Sequence, residues 1–392
     1  MGGASSSQQV AEAENATFLT KEELNELKSD FKIGGVEKVK FLIKWKASEL
    51  DKTNLNIAVM GETGAGKSTF INAMRGLRNT DDGAAEVGCT ETTMEPTGFP
   101  HPNFPNVCYW DLPGIGSTKF PADKYLKQMK FERFDFFIII SACRFRENDA
   151  KLAKEIKRLG KDFYFVRTKI DQDFYSMKKW GGNGISKKEK LDDIRSNCVN
   201  NLREAGILTP TVFLISSFEQ DRYDFNRLNK TLEDDLPYIK RSVFVLAYVN
   251  RSVEIIQQKS EMLQKRIWML ATHLTIIPDL TFAYNFRILI EAIIHFRKCL
   301  GLDEASLQRL ANIKNKPVEK LKAVAKTPLL GERHEYEIMW QMLEVNCYTI
   351  PVLGSIFGTG SSFLMTYTIL TNALKDLTES AERVVKVAYG IN

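Results

Sequence analysis

The chain has 392 residues, a net charge of +5, and 44% hydrophobic against 26% charged residues. That is ordinary for a soluble globular protein, with room for two or three domains and a large core. The mild basicity suits an anionic membrane surface, but without a dense Lys/Arg run or a nucleic-acid motif it argues no nucleic-acid partner. Cysteines at 89, 108, 143, 198, 299 and 347 show no C-x-x-C spacing, and the four histidines show no zinc spacing. This points to a reduced cytosolic protein rather than a disulfide scaffold.

The N-terminus is polar, with no apolar core of a secretory signal in the first 20 residues. Met1-Gly2-Gly3-Ala4-Ser5-Ser6 fits the myristoylation pattern M-G-x-x-x-[ST], which makes Gly2 the candidate lipid acceptor. The bland alternative is a polar tail that begins with Gly by chance. One myristoyl chain binds membranes only reversibly, and no Cys lies near Gly2 for a second lipid. Residues 1–17 are expected to form a flexible arm. Thr20-Lys21-Glu22-Glu23 is a capping-box pattern that opens a helical stretch over 18–53, with a break near Gly34-Gly35.

Residues 54–238 alternate strand and helix patterns, which predicts a mostly parallel sheet with helices on both faces. The apolar run Leu55–Met60 leads into Gly61-Glu62-Thr63-Gly64-Ala65-Gly66-Lys67-Ser68-Thr69, and Phe70–Arg75 reads as the opening of a helix. This is G-x-x-x-x-G-K-[ST] in its required setting. The glycines let backbone N–H groups curl around a phosphate, and the helix N-terminus adds partial positive charge. Lys67 can reach the β- and γ-phosphates, and the Ser68 hydroxyl can ligate Mg²⁺.

Three further elements each follow a predicted strand. Asp111-Leu112-Pro113-Gly114 follows Asn106–Trp110. Asp111 there can hold Mg²⁺ through water, and the Gly114 N–H can sense the γ-phosphate. Thr168-Lys169-Ile170-Asp171 follows Phe163–Val166. Asp171 can accept two hydrogen bonds from the N1–H and N2–H₂ edge of guanine, which adenine lacks, and Lys169 can lay its stem along the base. Asp173 is the other acid in reach. Ser216-Ser217 ends Thr211–Ile215, where backbone N–H groups can meet guanine O6. Singly these motifs are weak to moderate; in order, at strand C-termini where open α/β sheets bind ligands, they specify GTP.

The segment Cys89–Met94 lies between the first helix and the next strand. It matches the switch I position, with Thr93 the first choice and Thr92 the second for completing the Mg²⁺ shell. Glu91 is its only carboxylate; it either orients water or contacts nucleotide across a dimer, or is a solvated loop acid. Small regulatory GTPases place Gln directly after D-x-x-G, but here Ile115, Gly116, Ser117 and Thr118 follow. Monomer turnover is therefore expected to be slow.

The P-loop with Phe70-Ile71-Asn72, Trp110–Gly116, Phe134–Ser141 and Phe163–Asp171 together resemble the immunity-related GTPases. So do Lys240-Arg241 and Gly301–Leu307, which extends the resemblance from about residue 18 to the C-terminus. It implies interferon-inducible, dynamin-like GTPases that self-assemble with GTP as a homodimer or oligomer through the G domain. It also implies related GTPases as partners, and a cytoplasmic, reversibly membrane-associated protein acting at endomembranes or vacuoles that enclose pathogens. One subgroup carries Met in place of the P-loop Lys; Lys67 makes this chain look like the effector type. The alternative is a nucleotide-dependent switch of negligible turnover that regulates related GTPases. A septin-like filament protein is a weaker reading, because helices rather than a coiled coil follow the G domain.

From 239 to 392 strand signals fade and helical periodicity dominates. The resemblance implies that the N-terminal helices pack onto these to build an all-α domain. Val345–Leu374 carries no charge but holds Pro351, several glycines and many hydroxyls. A helical hairpin turning near Gly358-Thr359-Gly360 is preferred to a membrane span.

Overall fold

The computed structural model describes residues 52–88, 95–113, 129–143, 145–179, 186–276, 282–327 and 359–391. The expected arm, Gly2, most of the 18–53 helical stretch, and the first limb of the 345–374 hairpin lie outside them. The chain divides into two compact units, one of them Thr53–Val249 and the other containing Asn250–Asn392.

The first unit is built on a six-stranded sheet in the order β2-β3-β1-β4-β5-β6. The strands are β1 (Leu55–Gly61), β2 (Thr97–His101), β3 (Phe104–Asp111), β4 (Phe136–Ser141), β5 (Phe163–Arg167) and β6 (Val212–Leu214). All neighbours pair in parallel except β2 with β3. β4 is buried at every residue. Its run Phe-Phe-Ile-Ile-Ile-Ser suits a central parallel strand covered on both faces, where alternation with polar residues has no role. β2 is an edge strand that the sequence pattern does not announce. It carries Pro100, which has no N–H for a ladder and is tolerated where one side is unpaired.

Among the described residues the α-helices of this unit are α1 (Lys67–Met74), α2 (Glu147–Arg158), α3 (Ile170–Lys179), α4 (Lys187–Glu204), α5 (Phe225–Asp235) and α6 (Tyr238–Leu246). On one face Ala58, Met60, Phe137, Ile139 and Phe165 pack with Leu152 and Ile156 of α2 and Cys198 and Leu202 of α4. On the other, Tyr164 meets Phe213 with ring centroids 5.2 Å apart, and Phe70 of α1 meets Phe225 of α5 at 6.2 Å. Each fully buried Leu, Ile or Phe contributes about 1.5–3 kcal/mol.

The end of this unit differs from the expected boundary at 238: α6 belongs with the sheet, which carries the unit to Val249. Phe244 is buried, Lys240 pairs with Asp135, and Tyr248 donates its hydroxyl to the Asn229 carbonyl at 2.8 Å. The loss of strand signals marks the end of the sheet, not of the domain. Two strand limits also shift. β3 runs on through Asp111, and β6 is shorter than 211–215.

The second unit contains α7 (Val253–Ile276), α8 (Phe282–Cys299), α9 (Glu304–Lys314), α10 (Val318–Ala325) and α11 (Thr359–Tyr389). α7 lies along α11: Leu263 and Ile267 are buried, as are Leu370, Leu374 and Leu377. Polar ties fix the pair, with Gln264 donating to Tyr367 and Thr371, and Thr378 to Ser260. Asp303 caps α9 by accepting from the Ser306 N–H at 3.1 Å. α11 begins at Thr359, where the hairpin turn is expected. No helix among the described residues is long and apolar enough to cross a membrane.

Candidate nucleotide-binding site

The site forms where β1, β3, β4 and β5 end on one edge of the sheet. β1 delivers the chain into the 61–68 loop, and α1 starts at Lys67 rather than at Phe70. Gly61 has φ +144°, and a Cβ there would sit 2.0 Å from the Ile140 carbonyl oxygen of β4. Only glycine allows the loop to leave the sheet so close to its neighbour. Gly66, at φ +94°, caps α1 without a side chain in the way of a ligand. Glu62 and Ala65 close the loop through a backbone bond of 3.2 Å, with Thr63 and Gly64 exposed at its crest and Thr69 half-buried in the first turn.

Lys67 is 8% exposed, and its ammonium donates to the Gly61 and Glu62 carbonyls at 3.4 and 3.3 Å. These contacts are long, so they hold the cation inside the curve of the loop while leaving it able to turn to a stronger acceptor. The Glu62 carboxylate faces the other way. It pairs with Arg146 at 2.5 Å and takes a 3.4 Å hydrogen bond from Asn148, both at the start of α2. A negative charge is thereby drawn off the phosphate position. Nothing local to Glu62 in the chain announces this clamp, because Arg146 is 84 residues away.

The second wall is β3. Val59 and Asp111 are register partners, and Leu112 N–H donates to the Val59 carbonyl at 3.0 Å. Asp111 is 1% exposed, and the Ser68 hydroxyl donates to its Oδ2 at 2.7 Å. Two of the three expected metal residues are thus brought together, and the third, Thr93, lies outside the described residues. A hydroxyl beside a carboxylate is a hard oxygen set that fits Mg²⁺, an ion that takes few protein ligands and keeps waters and phosphate oxygens for the rest. Among the described residues there is no cluster of three or more His, Cys, Asp or Glu that could hold a metal alone.

The third wall joins the base motif to the phosphate loop. The Thr168 hydroxyl donates to the Ala65 carbonyl at 2.7 Å, and Lys169 Nζ donates to the Gly64 carbonyl at 2.9 Å. Lys169 has φ +58°, an unusual conformation for a side-chain-bearing residue, and this bends its stem back over the loop. Asp171 lies half-buried in the first turn of α3. Asp173, the other acid, is held by Arg167 at 2.6 Å. The two candidates for reading the base are therefore unequal: Asp173 already has a cation, and among the described residues Asp171 has none.

Ser216 is fully buried and its Oγ accepts from the Phe218 and Glu219 N–H groups at 3.3 and 3.1 Å. Its side chain shapes the turn, and Ser217 stands half-exposed beside it. Glu91, Thr92, Thr93 and Gly114 lie outside the described residues.

A phosphate loop with a base-reading motif hydrogen-bonded onto its back defines a P-loop G domain. The family model described as Interferon-inducible GTPase (IIGP) matches residues 20–386, and the chain belongs to that family. It is 39% identical over 374 residues to Interferon-gamma-inducible GTPase 10 of Mus musculus, covering 94% of this chain and 90% of that one. It is 39% identical over 375 residues to Interferon-inducible GTPase 1 of Mus musculus, covering 94% and 91%. To Interferon-inducible GTPase 5 of Rattus norvegicus it is 38% identical over 390 residues, covering 96% and 84%. Among solved structures it is similar to the FeoB G domain of Methanococcus jannaschii at 19% identity, over 48% of this chain and 99% of that one. The TM-score is 0.28.

Proposed function

We propose that this chain binds GTP at the 61–68 loop, hydrolyses it, and does so as a self-assembling GTPase at intracellular membranes in immune defence. The observation that carries the reading is the locking of Thr168 and Lys169 onto the Ala65 and Gly64 carbonyls. It sets the base pocket at a fixed distance from the phosphate pocket.

In this mechanism Lys67 leaves the loop carbonyls for the β- and γ-phosphates. The Ser68 hydroxyl and the Asp111 carboxylate would hold Mg²⁺, which when bound would supply positive charge against the phosphates. Loop N–H groups of Gly64, Ala65 and Gly66 grip the β-phosphate with the α1 N-terminus behind them. Asp171 accepts from the guanine edge, Lys169 lies along the base, and the Ser216-Ser217 turn borders O6. Thr93 and Gly114 order the γ-phosphate side. Glu91 orients the attacking water once a second copy packs over the nucleotide face, because Ile115 supplies no such group.

Gly2 acylation supplies a reversible membrane anchor, and assembly multiplies it. Related GTPases and vacuoles that enclose pathogens are the partners this reading implies; the protein is otherwise cytoplasmic.

The test is specific GTPase activity across a wide protein dilution series, with and without anionic liposomes. Activity per chain should rise steeply with concentration. Flat activity would overturn self-activation, and tight GTP binding without turnover would favour the regulatory switch.

A further inference from the structure

β5 is an apolar strand, Phe163-Tyr164-Phe165-Val166, that ends on a cation, Arg167. The Arg167 side chain is only 9% exposed. A guanidinium so buried is tolerated only with its donors satisfied. Nη1 donates to the Ala142 carbonyl after β4 and to the Thr168 carbonyl of the base motif, each at 2.5 Å. Nη2 donates to Asp173 Oδ2 at 2.6 Å. One planar fork therefore joins the turn after β4, the T-K-x-D turn and the first turn of α3.

Asp173 is two residues beyond Asp171 in that same turn. No group among the described residues hydrogen-bonds the Asp171 carboxylate. Its position is thus set by the backbone that carries it. Two hydrogen bonds to a planar base edge demand that position closely, because such bonds weaken steeply off their optimal distance and angle.

We propose that Arg167 and Asp173 are a positioning pair that fixes the first turn of α3 so that Asp171 meets the guanine edge with both oxygens. This rests on the GTP reading above. The pair touches no base itself; it acts through Asp171. A separate brace holds the following part of the helix. Phe174 stacks on Tyr223 at 6.1 Å with planes 9° apart, and Lys187 Nζ sits 5.4 and 4.6 Å from the two rings. Removing the Arg167–Asp173 bond should therefore loosen the turn while α3 stays docked.

The experiment measures the dissociation constants of GTP, ITP and ATP for the full chain carrying Asp173→Asn, Asp173→Ala or Arg167→Lys, with thermal melts of each. ITP lacks the 2-amino group, so it reports one hydrogen bond to Asp171 where GTP reports two. Asp173→Ala should weaken GTP about tenfold, the worth of a charge-assisted hydrogen bond, and weaken ITP less, so that the GTP/ITP ratio contracts. Asp173→Asn keeps an acceptor for Arg167 and should fall between; it carries the test if the alanine variant does not fold. A parallel loss of all three nucleotides, or an unchanged GTP/ITP ratio, would overturn the pairing role. Asp171→Ala is the control. If it also keeps the wild-type ratio, the base assignment fails and the positioning pair with it; if it collapses the ratio while Asp173→Asn and Asp173→Ala do not, only the pair is wrong.

Discussion

Thr168 donates its hydroxyl to the Ala65 carbonyl at 2.7 Å, across 103 residues of chain. Both groups are buried, so the bond is shielded from water and its loss leaves an acceptor without this donor. It makes the base loop and the phosphate loop one piece. A ligand that bridges the two loops then has less ordering to impose, and pre-organisation of this kind appears as affinity.

Thr168→Val keeps the shape and removes the hydroxyl. It should lower stability by about 1–3 kcal/mol and weaken GTP about tenfold. Isothermal titration and a thermal melt check both. An unchanged GTP affinity would mean that the two loops hold their spacing without this bond.

Lys67→Ala removes the cation that donates to the Gly61 and Glu62 carbonyls inside the loop. Charge-assisted contacts to phosphate are the strong ones, so GTP binding and hydrolysis should both collapse while the fold persists. Near-normal handling of GTP by a folded variant would end the site assignment.

Asp171→Asn places a donor where guanine also donates. GTP should weaken and xanthosine triphosphate should gain relative to it, as seen by competition among GTP, ATP and XTP. Asp173 is tied to Arg167 at 2.6 Å and cannot replace Asp171 without giving up that partner. A wild-type preference in Asp171→Asn would mean that it does so.

The parts of the site legible in sequence are those whose chemistry is local in the chain. Gly61 to Ser68 carries its own strand, turn and helix, and Thr168 to Asp171 follows its strand directly. What sequence did not disclose are bonds between such segments. Glu62 reads as a variable position of the loop, yet it is clamped by Arg146, 84 residues away. Arg167 reads as the polar end of a strand, yet its fork gathers three segments. The β2 edge stayed hidden because Gly98 and Pro100 weaken its strand pattern, and α6 carries no local sign of its unit because an amphipathic helix does not state which core it covers.

Gly61 should be intolerant where Gly64 is not. A Cβ on Gly61 would meet the Ile140 carbonyl at 2.0 Å, and the two residues are partners in the parallel ladder. Gly61→Ala must push β1 and β4 apart at the mouth of the site; a loss above about 4 kcal/mol is expected, among the largest for one substitution. A Cβ on Gly64 meets nothing within 4 Å, and only its φ of +76° opposes it, at about 1–2 kcal/mol. Parallel melts of the two variants give the comparison, and similar values would mean that the sheet yields at Gly61.

Asp149 gives a stability change with a sign fixed by its surroundings. It is fully buried at the start of α2, and burial pushes its carboxyl up to about 6, with the nearby Glu62 charge adding to this and the Arg146 backbone N–H opposing it. An unfolded Asp titrates near 3.9. Between these values the native state holds the proton more tightly, so stability from this group is full below about pH 4 and is lost as pH rises through about 6. The loss at pH 7.5 is up to about 3 kcal/mol. Asp149→Asn keeps an oxygen for the Arg146 N–H, now at 3.1 Å, and carries no charge. The variant should therefore melt higher than wild type at pH 7.5, with the gap narrowing to about a third by pH 4.5 and closing below about pH 4. A variant that is less stable at pH 7.5 by an amount that does not change with pH would show that Asp149 is held as the anion, with Arg146 outweighing its burial.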